Sequence, residues 1–110
     1  MDEDGWIAAL PLGELLDGTP TSVHVEGAEV LLVRDGDRLF ALGNRCSHQG
    51  APLHKGPVRF SGSLATVTCP VHGSQFELGS GRVLRGPAMR AVPAYDVRVN
   101  DGNIEIRDRA

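Results

Sequence analysis

Hydrophobic and polar positions alternate with a period of two along much of the chain. Val23 and Val25 alternate with His24 and Glu26, which lays one face of a strand on a core and the other toward water. The apolar run Val30–Val33 follows, then Asp35-Gly36, then a second apolar run from Leu39 to Leu42. An Asp-Gly between two apolar runs is the strongest short-range signal for a hairpin. Near the C-terminus Tyr95, Val97 and Val99 face one way, Asn100–Gly102 turn, and Ile104 and Ile106 alternate back. Between these hairpins lie "SLATVTC", which has strand character, and a proline-bearing loop, "LRGPAMRAVPA". The helical candidate is a short turn around Leu12–Leu16, after Pro11. No repeat, linker or low-complexity tract divides the sequence. The pattern predicts an all-β fold, an antiparallel β-sandwich or barrel with long loops in its middle third, as a single domain over residues 1–110.

Composition sharpens this picture. Fourteen glycines and 7 prolines against 5% aromatic residues suit short strands joined by tight turns. The net charge of −3 argues against nucleic acid as a partner and is compatible with docking to a basic protein surface. The acidic start Asp2, Glu3 and Asp4 reads as a solvated terminus. It also lacks the basic character of a secretory leader, and Pro11 and Gly13 interrupt the apolar stretch behind it. No run of eighteen apolar residues occurs, so no membrane span is expected. The expected address is the cytoplasm, where two cysteines are metal ligands or catalytic groups in preference to a structural disulfide.

Both cysteines have a histidine close by. Cys46 and His48 flank one residue, Cys69 and His72 flank two, and glycines follow each pair. Four such donors in two pairs can close a tetrahedral zinc site or grip the two irons of a cluster. A zinc finger pairs Cys with Cys and His with His across a hairpin and a helix, whereas here each pair is mixed and sits in a glycine-rich loop. Mixed pairs suit two metals, because each loop can give one ligand to each. Gly50, Gly56, Gly73, Gly79 and Gly81 are expected to let backbone N–H groups approach bridging sulfides unobstructed.

The segments "CSHQGAPL" from Cys46 and "CPVHGS" from Cys69 resemble the two cluster-binding boxes of the Rieske 2Fe–2S domain. The likeness continues through "FELGSGRVLRGPA", similar to that family's strand, glycine turn and proline loop, and covers about the middle and C-terminal two thirds of the chain. The stretch "PVRFSGSLATVT" between the boxes is slightly long. The resemblance implies one Rieske-type 2Fe–2S cluster per chain, held in a subdomain formed by the two long loops. Cys46 and Cys69 would hold one iron, and His48 and His72 the other. Their outer ring nitrogens would lie at the surface as the electron port. Gln49, Gly50, Leu53, Gly73, Ser74, Phe76 and Pro87 would surround the cluster.

The family's cytochrome-complex members carry an extra cysteine in each box, joined as a disulfide, and Ser and Tyr hydroxyls bonded to the cluster sulfurs. This chain lacks the extra cysteines, keeps Ser74, and has Phe76 where the tyrosine would stand. A potential below those members is implied, which suits a soluble carrier and not a quinol oxidase. A catalytic oxygenase would need a further iron on two histidines and a carboxylate. Only His24, on a predicted strand, and His54, an exposed loop residue by this reading, remain.

The chain therefore reads as a monomeric Rieske-type ferredoxin, not itself an enzyme. It would take electrons from an NAD(P)H-linked flavoprotein reductase and pass them to a terminal oxygenase. Two alternatives stand: a small subunit of a larger reductase of the nitrite reductase type, and a zinc-bearing structural module.

Overall fold

A computed structural model, which describes residues 5–109, arranges the alternating segments as three antiparallel sheets. The first holds β1 (Ile7–Pro11), the second β2 (Thr21–Val25), β3 (Ala28–Asp35) and β4 (Arg38–Gly43). A third holds β5 (Val58–Ser61), β6 (Leu64–Thr68), β7 (Gln75–Glu77) and β8 (Val83–Arg85). β9 (Tyr95–Asn100) and β10 (Asn103–Asp108) return to the first sheet, where β10 lies between β1 and β9. Single 3-10 turns at Leu12–Glu14 and Leu53–Lys55 are the helical elements among the described residues; none could cross a membrane.

The apolar run Val30–Val33 has no polar alternation because β3 is the middle strand of a wall buried on both sides. Val30 and Leu32 face the first sheet and pack with Val25, Ala41, Ile104 and Ile106. Leu31 and Val33 face the third sheet and pack with Leu42, Val67 and Phe76. Register keeps the two faces apart: Leu31 pairs with Leu42, and Leu32 with Ala41. A one-residue slip would exchange the cores. Cys46 and Cys69 belong to the core on the third-sheet side.

Four two-residue turns set the registers. Glu26-Gly27 and Asp101-Gly102 have positive φ at both positions (48° and 83°, 54° and 79°), as type I′ turns require. In Gly36-Asp37 and Gly62-Ser63 only the leading glycine does, the type II′ pattern. Glu26 thus stands in a turn, not on the strand where its alternation with Val25 put it. Glutamate is an uncommon αL residue, so Gly27 was the one visible signal. The long connector between the boxes is the β5–β6 hairpin. The expected turn near Leu12–Leu16 shortens to Leu12–Glu14, and Trp6 packs at the sheet edge between the guanidiniums of Arg98 and Arg107, 4.4 and 4.3 Å from its ring centre. The acidic start at residues 2–4 lies outside the described residues.

Two of the glycines near the Cys–His loops are required by close backbone contacts. A Cβ on Gly56 would come within 1.8 Å of the Thr68 carbonyl oxygen, and one on Gly81 within 2.1 Å of the Val92 carbonyl oxygen. Gly79 meets nothing within 4 Å. Gly56→Ala is expected to lower stability by about 3 kcal/mol, because backbone must move. Gly79→Ala should stay within about 0.5 kcal/mol of the parent. Urea unfolding midpoints of the two variants measure the contrast.

Candidate functional site

The two Cys–His loops share one backbone design. The Cys46 N–H donates to the Ala51 carbonyl at 2.8 Å, and its own carbonyl accepts from Gly50 N–H at 2.7 Å. The Cys69 N–H donates to the Ser74 carbonyl at 2.7 Å, and its carbonyl accepts from Gly73 N–H at 3.2 Å. In each loop the cysteine bonds the residue five positions on and is bonded by a glycine four positions on. Both glycines are left-handed, at φ 76° and 79°. Their N–H groups are therefore committed to closing the turns. The β-bridge between Arg45 and Pro52 closes the first loop further.

This design buries the thiols and exposes the imidazoles. Cys46 and Cys69 are each 3% exposed and unpaired by any disulfide, whereas His48 and His72 are exposed. The two imidazole rings sit edge to face, 5.1 Å between centres. Burial pushes the Cys46 thiol up from its ordinary value and the neighbouring Cys69 thiol pushes it the same way, against the backbone N–H groups of His48 and Gln49. The Cys46 thiolate is therefore disfavoured in this dry setting without a cation. Among the described residues no three His, Cys, Asp or Glu side chains gather as a site for one metal ion. The donors come as a thiol pair and an imidazole pair, which is the donor set two irons would require.

The proline loop is tied to both cluster loops. Ser74 is fully buried and its Oγ accepts the Ala88 N–H at 2.9 Å, which leaves its own proton free to donate. Ser47 Oγ donates to the Arg90 carbonyl at 2.5 Å. Leu53 and Phe76 are fully buried beneath the thiols, whereas Gln49, Gly50 and Pro87 are exposed and Gly73 half-buried. The Gly86–Pro87 peptide is cis.

Asn44 was not singled out from the sequence, yet it anchors the first loop. It is fully buried. Its Nδ2 lies 2.7 Å from Glu29 Oε2 and 2.8 Å from His54 Nδ1, and its Oδ1 accepts the His54 N–H at 2.8 Å. Its backbone N–H donates to the Glu29 carbonyl at 3.0 Å, and its carbonyl accepts from Leu53 N–H at 2.9 Å. The amide therefore pins the segment after the first box to β3. His54 is correspondingly half-buried and bonded, not the exposed loop residue expected; His24 is exposed on β2 as expected. The only sequence cue was an asparagine two residues before Cys46, too short a pattern to interpret alone.

The family model for the Rieske [2Fe-2S] domain matches residues 5–96. The chain belongs to the Rieske [2Fe-2S] domain family, and an iron–sulfur cluster is the cofactor of that family's fold. The 3-phenylpropionate/cinnamic acid dioxygenase ferredoxin subunit of Photorhabdus laumondii is 39% identical over 93 residues, 84% of this chain and 85% of that protein. Among solved structures, the ferredoxin of carbazole 1,9a-dioxygenase from Nocardioides aromaticivorans superposes with a TM-score of 0.86 at 33% identity, covering 96% of this chain and 99% of that one. A chain assigned as the small subunit of an NADH-dependent nitrite reductase of Mycobacterium tuberculosis gives a TM-score of 0.83 at 31% identity, over 96% of each chain. Apoptosis-inducing factor 3 of Mus musculus is 33% identical over 94 residues, 86% of this chain; the chain spans only 15% of that relative's length.

Asn44→Ala is expected to destabilise the protein by about 2 kcal/mol, because it leaves the His54 N–H without its acceptor. Urea unfolding measures it. Acid should weaken the same region. The Asn44 amide and then the Arg45 charge hold Glu29 below its ordinary value, against the pull of burial, and Arg107 with Arg109 does the same for Asp96. A depressed carboxylate stabilises the fold above its unfolded value, and that contribution is lost as pH falls through the lowered folded value. Unfolding midpoints should therefore hold near neutrality and fall below the ordinary carboxylate range, and Glu29→Gln should flatten part of that decline.

Proposed function

We propose that this chain is a one-electron carrier, a Rieske-type ferredoxin that holds one 2Fe–2S cluster through Cys46, Cys69, His48 and His72. The observation that carries the reading is that two buried cysteines are each followed within three residues by a histidine, and that the two exposed imidazoles meet 5.1 Å apart. When bound, the cluster supplies reversible uptake of a single electron.

The residues then divide the work. Cys46 and Cys69, buried in the dry core, would hold one iron as thiolates. His48 and His72 would hold the other iron through imidazole nitrogens, which bring no negative charge and so would oppose an incoming electron less than thiolates. Their exposed ring edges give a partner a short route to the redox centre. Ser74 contributes the free hydroxyl proton noted above, available to an acceptor on the cluster side. Phe76 offers no hydroxyl and keeps the floor of the site apolar. Gln49, Gly50, Leu53, Gly73 and Pro87 shape and shield the centre.

The natural partners on this reading are a flavoprotein reductase as donor and a terminal oxygenase as acceptor, with the carrier monomeric and cytoplasmic. The similarity to dioxygenase ferredoxins over nearly their whole length supports it. The nitrite reductase small-subunit likeness supports a second reading, in which the same cluster serves inside a larger reductase. A carrier purifies alone and exchanges electrons with separate proteins; a subunit copurifies with a large partner.

The purified protein should be red-brown and contain about two irons per chain. After dithionite reduction its EPR signal should have an average g below that of all-cysteine clusters. A colourless protein with one zinc would overturn the reading. His72→Cys should keep a cluster with a potential lower by about 100 mV or more, since a thiolate replaces a neutral ligand. An unchanged potential in an assembled variant would refute the electrostatic argument.

A further inference from the structure

The net charge of −3 conceals a sharp segregation. Between Asp37 and Asp96 the chain carries one acidic residue, Glu77, against seven lysines and arginines. All other acidic residues lie outside that stretch, which contains both Cys–His loops, the third sheet and the proline loop. Glu77 is itself matched by Arg82 at 3.6 Å. Two of the arginines are bonded to residues adjacent to the histidines. Arg85 reaches the Gly73 carbonyl, one residue beyond His72, at 3.5 Å. Arg90 is fixed through its carbonyl to Ser47, the neighbour of His48. Both arginines are exposed, and among the described residues neither they nor Lys55 form an ion pair. Beside them Met89 is 92% and Val71 57% exposed.

We propose that the face around His48 and His72 is a cationic docking surface, built to receive a protein partner whose redox site is rimmed by carboxylates. This rests on the electron-carrier reading above. It is the opposite of docking to a basic protein surface, with which the net charge alone is compatible. The physical reason is range. At physiological salt a charge acts over about 8 Å, so a partner approaching the histidines meets Arg85 and Arg90 before the acidic residues of the other two sheets. The segregated charge also orients the molecule, turning the electron port toward an acidic partner. Exposed Val71, next to His72, and Met89, next to Arg90, add apolar surface to this charged segment, as weak protein interfaces do. A nucleic acid is disfavoured because its extended polyanion would also meet the acidic remainder of the chain.

The test uses the cluster-loaded protein, reduced and mixed rapidly with hexacyanoferrate(III) or hexaamminecobalt(III). One electron passes from the protein to the metal complex, giving iron(II) or cobalt(II). The oxidation rate with the anionic complex should fall roughly 3- to 10-fold as salt rises from about 10 to about 300 mM, and the rate with the cationic complex should rise. The opposite pair of slopes, as the net charge demands, would overturn the docking surface. The double variant Arg85→Glu with Arg90→Glu should flatten or invert the anionic slope; an unaltered slope in a variant with a normal cluster spectrum counts against the proposal. Binding of a labelled 20-base-pair DNA duplex tighter than about 10 µM at about 0.15 M salt would replace the protein partner with nucleic acid. A protein that assembles no cluster defeats the carrier reading and this surface together, whereas wrong salt slopes defeat the surface alone.

Discussion

Hydrogen bonds from each cysteine's own backbone fix where every donor of the centre can lie. With its N–H given to the residue five positions on and its carbonyl held by a left-handed glycine four positions on, each cysteine is locked at the base of a tight loop. A loop so short cannot turn every side chain inward. The cysteine at its base enters the core, and the histidine near its tip faces water. The one- and two-residue spacings differ, yet both end in this arrangement because the glycine, not the histidine, keeps the fixed distance from cysteine. Removing the glycine's positive φ would strain the turn and tilt the thiol out of the core.

That lock works because its base is rigid. β3 and β4 present Leu31, Val33 and Leu42 to the third sheet, and the cysteines join the same core. Asn44, at the end of this wall, ties the first loop back through Glu29 and His54. The second loop starts from β6, whose Val67 shares the core, and the proline loop is bonded to both through Ser47 and Ser74. Three segments far apart in sequence are thus held by a few satisfied polar bonds over one apolar floor. A redox centre benefits from such stiffness, because an ordered surround leaves little to rearrange when one electron arrives.

Much of this was legible in the sequence because it is local. The β9–β10 hairpin shows in the alternation of Val97, Val99, Ile104 and Ile106, and the β3–β4 hairpin in Asp35-Gly36, although the turn itself falls one residue later. The two mixed Cys–His pairs, which the structure resolves into buried thiols and exposed imidazoles, were visible from their spacing alone. The parts that escaped are those set by distant partners. Gly56 and Gly81 answer to the backbones of Thr68 and Val92, and nothing near them in sequence shows it. His54 looked like a free loop residue until Asn44 met it from the other side. The Glu26-Gly27 turn hid behind a residue that adopts a positive φ only because β2 and β3 are already paired.

Charge illustrates the same limit at the scale of the whole molecule. A net value treats all charges as if one partner met them together, which holds only at distances well beyond the screening length. At contact, the surface near the histidines is governed by Arg85 and Arg90, while Glu29, Asp35, Asp96, Glu105 and Asp108 lie on the other two sheets. Within those sheets much of the acid is internally matched: Asp96 by Arg107 and Arg109, Glu105 by Arg98. The third sheet and its loops keep cations with no such match. An electron carrier must bind weakly enough to leave after one transfer, so a surface of exposed cations without carboxylate partners, with apolar side chains among them, suits the task. It speeds encounter through the long-range field and adds little to the lifetime of the complex, because exposed ion pairs contribute at most about 1 kcal/mol each.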